Sequence, residues 1–273
     1  MKKSILLLLG IAIFITSCKK DDDSDNTNPT PTPVTCLITK TNDLINKSYT
    51  DVVYNQSNFI DNIKEYDSTG TFASGFNAVY SSDVLMKLAM QDSTGNDAQI
   101  FEYVYNGNEV DTVHLYMDTD SDGALDTLIY YLYTYTSGKI SSMSTYYDIG
   151  SGNYIEAAKS EYTWTGDNIT EVIEYTLNTS TFQLELSKTT TYEFDTKKNY
   201  IHNIGLDNMP MATDMMNANN YLKKTVKDAN DVIDNDNSAE YTNTYDGDKL
   251  TQLIAISFNT DTIQNETRTF TCN

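Results

Sequence analysis

The feature that most limits the possible fold of this chain is a sequence repeat. Its first copy lies near Tyr54, and further copies follow along the chain. Each unit holds two aromatic residues spaced by two, a polar turn with glycine and an aliphatic residue, as in 103–110, 133–140 and 162–169. A further aromatic residue closes the unit at Tyr116, Tyr146 and Tyr175. The second aromatic residue stands at positions 54, 80, 105, 135, 164, 194 and 245, so most intervals are 25 to 30 residues. Such a period predicts an array of similar supersecondary units.

The unit itself has the pattern of a β-hairpin. Aromatic residues at i and i+2 share one face of a strand, and Thr, Tyr, Val and Ile dominate the flanks. Steps such as Asn106-Gly107 and Asp246-Gly247 are typical hairpin turns, because glycine takes a positive φ without strain. The sequence therefore predicts an all-β chain, an antiparallel β-hairpin repeat array in an extended meander sheet. The aromatic pairs would form exposed rows on that sheet. The predicted binding residues are Tyr103, Tyr105, Tyr133, Tyr135, Tyr162 and Trp164.

The units resemble the YD repeats of RHS-type proteins, and still more the repeat domains of Bacteroidetes lipoproteins, whose function is mostly unassigned. Tyr245-Asp246 carries the dipeptide that gives YD repeats their name, whereas most other copies lack it. The resemblance spans residues 37–273 and implies a hairpin array rather than an activity. An irregular insertion near residues 200–230 interrupts the rhythm, and we expect a long loop with one helical turn there.

The N-terminus has the pattern of an export signal. Lys2 and Lys3 precede an almost unbroken apolar run over 5–15, which is too short for a comfortable membrane span. The run ends in Ile15-Thr16-Ser17-Cys18, which resembles the lipobox of bacterial lipoproteins. The resemblance implies cleavage before Cys18 and attachment of acyl chains, including diacylglycerol, to that cysteine. The alternative is an ordinary signal peptide with a chance cysteine.

The residues behind Cys18 predict a tether. The run 19–25, Lys-Lys-Asp-Asp-Asp-Ser-Asp, resembles the signal that sends Bacteroidetes-type lipoproteins to the outer face of the outer membrane. Three prolines spaced by two over 26–33 favour an extended spacer. We therefore expect a signal peptide over 1–17, a lipidated acidic and Pro/Thr-rich tether over 18–36 and a β-repeat domain over 37–273. The predicted location is the outer membrane, with the domain exposed at the cell surface.

Two further cysteines, Cys36 and Cys272, stand at the two ends of the predicted β domain. An even pair in an exported, oxidising setting is typical of a disulfide. A disulfide between them would close nearly the whole domain into one loop, which stabilises a fold by ~4–5 kcal/mol on the chain-entropy model. The alternative is two independent free thiols.

One segment has the pattern of a metal site. Its aspartates alternate around Gly123 and match positions 1, 3, 5 and 9 of an EF-type calcium loop: Asp118, Asp120, Asp122 and Asp126. Ile129 takes the place of the bidentate glutamate, and the flanks resemble strands rather than helices. Calcium is the one cofactor that the sequence suggests, and the site would be weak. The alternative is a plain hairpin turn with solvated aspartates.

The charge of the chain excludes one class of partner. The sequence holds 39 acidic and 18 basic residues, a net charge of −21, which argues against nucleic-acid binding.

The sequence contains no nucleophile elbow, zinc-binding helix motif or phosphate loop, so we expect a protein that is not an enzyme. A non-catalytic surface module that binds an extracellular glycan or protein, or is purely structural, fits these observations. The alternative is a surface glycan hydrolase with a carboxylate pair.

Overall fold

The computed structural model describes residues 36–117, 126–150, 152–202 and 213–272, and these residues are mostly β-strand. The first eight strands are β1 (Cys36–Asp43), β2 (Tyr49–Tyr54), β3 (Ile60–Tyr66), β4 (Phe72–Ser81), β5 (Val84–Gln91), β6 (Asp97–Asn106), β7 (Glu109–Met117) and β8 (Asp126–Thr136). The next are β9 (Lys139–Asp148), β10 (Tyr154–Thr165), β11 (Asn168–Asn178), β12 (Gln183–Lys198), β13 (Asn219–Asp228), β14 (Ala239–Asp246), β15 (Lys249–Ser257) and β16 (Thr262–Cys272). A short helix, α1 (Thr213–Met216), precedes β13.

The sheet is closed. Neighbouring strands pair antiparallel in chain order, and β1 pairs with β16, so the strands form a barrel. The predicted all-β antiparallel fold is confirmed, but the predicted extended meander is wrong. The physical reason is that strand twist accumulates across a long sheet, and closure satisfies the backbone groups of both edge strands. Among the described residues, no helix is long and apolar enough to cross a membrane.

Tight turns set the register of the hairpins. β6 ends at Asn106 and β7 begins at Glu109, and Gly107 between them has a φ of 66°. Gly247 has a φ of 63° in the equivalent turn between β14 and β15. Two-residue hairpin turns favour a positive φ at their first position, which explains why glycine recurs there. Each repeat unit of the sequence is therefore one such turn with parts of its two strands.

The irregular insertion is shorter than predicted. β12 extends to Lys198 and β13 begins at Asn219, so most of the second half of the interval 200–230 is strand. The four-residue α1 is the helical turn that we expected, although residues 203–212 lie outside the described part of the chain. Asn217 follows α1 directly and is fully buried, and its Oδ1 accepts the backbone N–H of Ile169 at 2.6 Å. The end of the insertion is thus fixed to β11.

Apolar side chains fill the barrel interior between β3 and β9. Leu88 and Val113 are fully buried, and Tyr103 is 3% exposed. Full burial of one leucine stabilises a fold by ~1.5–3 kcal/mol. Barrels with this many strands often enclose water, but here the inward positions of these strands pack into one cluster. The outward positions include charged residues such as Lys87 and Glu102, which stand opposite each other in the register of β5 and β6.

The second aromatic residue of the repeat ties each unit to an earlier strand. Its phenol or indole group points toward the interior and donates a hydrogen bond to a backbone carbonyl near the start of that strand. The five bonds are Tyr54 to Ile38 (2.8 Å), Tyr80 to Ile60 (2.8 Å), Tyr105 to Leu85 (2.7 Å), Tyr135 to Val110 (3.0 Å) and Trp164 to Ile140 (2.7 Å). Phe194 holds the same repeat position and has no polar atom to donate. The repeated pattern is therefore a packing device with a hydrogen bond at its tip.

Replacing Tyr105 by Phe is expected to lower the free energy of unfolding by about 1 kcal/mol, because the ring is kept while the Leu85 carbonyl loses its donor. Urea unfolding measures the change. Tyr147→Phe is the control, since Tyr147 is 42% exposed on β9 and should change stability little. Equal stability of the two variants would show that the hydrogen bond contributes nothing.

Candidate functional site

The six aromatic residues predicted to bind a ligand do not form an exposed surface. Tyr103, Tyr133 and Tyr162 are 3%, 4% and 9% exposed, and Tyr105, Tyr135 and Trp164 pack against the same core. Burial raises the pKa of Tyr105 and of Tyr135 to about 12, so both phenols remain protonated donors. The prediction of exposed rows is wrong, because the face shared by each aromatic pair is the interior of the closed barrel.

Tyr135 and Trp164 also line a recess of ≈ 220 Å³, together with Lys139, Asp167 and His202. The Lys139 Nζ lies 5.0 Å from the centroid of the Trp164 ring and 3.0 Å from the Asp167 Oδ1. The hydrogen bond that Lys139 donates to Asp167 lowers the pKa of the Asp167 carboxyl group. The chain's own ammonium group therefore occupies the aromatic face that a ligand would need in this recess.

Other aromatic residues lie on the outside of the barrel. Cross-strand pairing aligns one residue from each of β6 to β10 in a continuous line, which we call the outer row: Glu102, His114, Tyr130, Tyr146 and Glu156. His114 stands between the buried Val113 and Leu115, and Tyr130 stands between the buried Ile129 and Tyr131. This alternation directs the outer row away from the core.

The rings of the outer row are in mutual contact. Tyr130 and Tyr146 stack with centroids 4.6 Å apart and planes 8° apart, and Tyr154 meets Tyr130 edge-on at 4.9 Å. His114 lies 6.1 Å from Tyr130 and 6.4 Å from Tyr116. Tyr116 and Tyr146 are the aromatic residues that close the repeat unit, to which the sequence pattern gave no role. The closing aromatic residues of the repeat therefore indicate this surface, and the aromatic pairs do not.

Carboxylates and an ion pair border these rings. Glu102 and Glu156 stand at the two ends of the outer row. Beside it, the Lys159 Nζ contacts the Glu161 Oε1 at 2.7 Å, and the Tyr175 hydroxyl lies 3.3 Å from the Glu161 Oε2. Burial, with a smaller contribution from Glu156, raises the pKa of Tyr146, so its hydroxyl remains a donor at neutral pH. The surface thus combines flat aromatic faces with hydrogen-bonding groups.

A second stacked pair on the outside offers a comparison. Tyr49 and Tyr66 have centroids 4.7 Å apart on β2 and β3. The Lys40 Nζ lies 3.7 Å from the centroid of the Tyr49 ring and so covers one aromatic face. The outside of the described barrel thus carries the Tyr49–Tyr66 and Tyr130–Tyr146 stacks, but a lysine of the same chain covers one face of Tyr49.

The fold is similar to solved barrels from Bacteroides. A porin-like protein from Bacteroides vulgatus ATCC 8482 matches with a TM-score of 0.58 and 9% sequence identity, over 86% of this chain and 98% of that chain. A porin-like protein from Bacteroides uniformis ATCC 8492 matches with a TM-score of 0.52 and 12% identity, over 86% of this chain and 96% of that chain. At such identities the likeness shows the fold alone.

No protein-family model matches the chain. No curated protein matches it in sequence either. The resemblance to YD repeats and to Bacteroidetes lipoproteins therefore stays a prediction, whereas the all-β barrel architecture is supported by the solved neighbours.

Most of the predicted calcium loop lies outside the described residues, namely Asp118, Asp120 and Asp122. Asp126 is the first residue of β8 and is exposed. In the described part of the chain, no group of three His, Cys, Asp or Glu side chains is placed to hold a metal ion. Calcium binding stays a prediction.

The described carboxyl groups whose pKa departs from its ordinary value all shift downward. In Asp67 and Asp92 the main cause is a hydrogen bond from the hydroxyl of Thr69 or Thr94, in turns of the same sequence. A glycosidase acid needs the opposite shift, because it must hold a proton at neutral pH. These aspartates stabilise turns, and the hydrolase alternative gains no support from them.

Proposed function

We propose that this chain is a lipid-anchored, non-catalytic protein of the outer-membrane surface and that its barrel binds neutral carbohydrate chains on the outer row. The observation that carries the proposal is the stack of Tyr130 on Tyr146, at 4.6 Å, between two glutamates on the outer face. Lysine covers the other aromatic sites described above, whereas no described lysine covers a ring of the outer row.

The chemistry of the outer row suits sugar rings. The C–H faces of a sugar pack on aromatic faces, and tyrosine presents a large, rigid ring with a polar tip. Glu102, Glu156 and the Lys159–Glu161 pair supply acceptors and donors for sugar hydroxyls. The net charge of −21 repels anionic polymers, which favours an uncharged chain.

The lipid anchor is a separate part of the proposal. Charged and polar side chains on the outside of the barrel favour contact with water, since transmembrane barrels carry an apolar band at their outward positions. The lipobox-like ending at Cys18 and the tether supply another route to the membrane. Residues 15–35, which carry the lipobox-like ending and all of the tether except Cys36, lie outside the described residues.

Binding to a glycan array tests the ligand. The full chain carrying Cys18→Ser is probed on neutral and anionic glycans and on matrix proteins, and we expect binding to neutral glycans. Tyr130→Ala with Tyr146→Ala should weaken binding by about tenfold per ring. Tyr49→Ala with Tyr66→Ala removes a stacked pair of similar geometry elsewhere and should leave binding unchanged.

Three outcomes would overturn the carbohydrate proposal. They are binding to matrix proteins alone, equal loss of binding in both double variants, and no binding to any neutral glycan. Circular dichroism of each variant confirms that a loss of binding does not arise from unfolding.

A further inference from the structure

The barrel interior changes character between β10 and β13. Inward positions that hold apolar residues in earlier strands are here occupied by Ser160, Glu174, Lys188, Thr190 and Lys224. Glu174 and Lys224 each lie two residues from a buried valine on the same strand, so they point to the same side as the core. Charged side chains on the inside of a barrel require water, a partner or a ligand.

These side chains surround a cavity of ≈ 290 Å³. Its walls also include the rings of Tyr162 and Tyr192 and the side chains of Met143, Val172 and Val226. The cavity is open to solvent, since the side chains of Lys188 and Glu174 are 46% and 32% exposed. Its volume lies near the lower end of small-molecule sites and suits a ligand of about one sugar ring.

Some charged side chains of the cavity have a partner within the protein, and one does not. The Lys188 Nζ pairs with the Glu174 Oε2 at 3.1 Å. The Asp234 carboxylate accepts the backbone N–H groups of Asp236 and Asn237 and the Asn237 side-chain amide, so its oxygens are engaged within a turn. Lys224 makes no ion pair with any described residue. An unpaired positive charge therefore faces a cavity that also offers hydroxyl groups and two aromatic rings.

We propose that this cavity binds a small hydroxylated organic anion of the sugar-acid class. The carboxylate of the ligand pairs with Lys224, and its hydroxyl groups bond to Ser160, Thr190 and the Glu174–Lys188 pair. The ring of the ligand packs against Tyr162 and Tyr192. This site is separate from the outer row, which lies on the opposite side of the barrel wall. The cavity would bind an anion, whereas the outer row would bind neutral carbohydrate.

Titration calorimetry with three matched probes tests the proposal. Glucuronate, glucose and glucosamine share a ring size and carry negative, zero and positive charge, and the protein is the full chain with Cys18→Ser. At about 0.15 M salt the Debye length is about 8 Å, so distant acidic residues are largely screened. We expect glucuronate to bind at least about tenfold more tightly than glucose, and glucosamine to bind most weakly.

Lys224→Met should remove the preference for glucuronate. Lys223→Met is the matched control, because the neighbouring Lys223 points outward, where its Nζ lies 3.8 Å from Glu240 and 5.4 Å from the centroid of the Phe258 ring. Equal affinity for the three probes, or equal loss of binding in both lysine variants, would overturn the proposal. Tyr130→Ala with Tyr146→Ala should leave glucuronate binding intact, which separates this site from the outer row.

Discussion

Replacing Cys36 and Cys272 together by alanine is expected to lower the free energy of unfolding by ~4–5 kcal/mol. In the structure the two cysteines are joined in a disulfide, with Cα atoms 4.0 Å apart, and they face each other in the pairing of β1 with β16. The bond spans 236 residues, so it removes much of the conformational freedom of the unfolded chain. Urea unfolding of the wild-type chain and the double variant measures the difference.

The closure of the barrel makes a second consequence of this change measurable. β1 pairs with β2 through three residues, Lys40 to Asn42, so β1 depends strongly on β16 for its place in the sheet. Without the disulfide, amide protons of β1 should exchange faster than those of β8 and β9, which lie far from the closure. Wild-type protein under reducing conditions should behave like the double variant. Identical unfolding of oxidised and reduced protein would show that the bond does not stabilise the barrel.

The hairpins could be predicted because their signals are local. Two aromatic residues spaced by two, a glycine turn and a following aliphatic residue fix strand, turn and strand within one unit. Closure could not be predicted in this way. It depends on the twist summed over the whole sheet and on the pairing of β1 with β16, which are more than 200 residues apart in sequence.

The direction of the aromatic pairs was the second point that the local pattern left open. Spacing by two places Tyr103 and Tyr105 on one face but does not say whether that face is inside. A cue was present, because the aliphatic residue after each turn recurs as faithfully as the pair, and Val110 is fully buried. The aromatic pair and this aliphatic residue pack together inside the barrel, whereas the closing aromatic residues Tyr116 and Tyr146 recur on the outside. Positions that vary, such as Val104 and Thr134, face outward.

The charged cavity had no sequence signal of comparable strength. Glu174, Lys188 and Lys224 stand in strands where many outward positions are also charged, so composition does not distinguish inward from outward lysines. Lys223 and Lys224 are adjacent, and only the strand register assigns one to each side. Such a site depends on the closed barrel, since an open sheet would expose both faces to water.

Replacing Cys18 by serine is expected to move the protein from the membrane fraction to the soluble fraction completely. A serine hydroxyl cannot take the place of the thiol that carries the lipid. Each buried methylene group of an acyl chain contributes ~0.8 kcal/mol to membrane affinity, so two or more chains dominate the binding of a barrel with a charged outer surface. Metabolic labelling with a radioactive or clickable fatty acid, followed by fractionation, measures both lipidation and location.

Ser17→Ala is the matched control for this experiment. It keeps a small residue before Cys18, so lipidation and membrane location should match those of the wild-type chain. The Cys18→Ser barrel should retain its fold and its Cys36–Cys272 bond, because residue 18 precedes β1 by a long tether. Retention of the serine variant in washed outer membranes, without label, would refute the lipid anchor. The barrel surface itself would then have to hold the protein at the membrane, against the charged character of its outward positions.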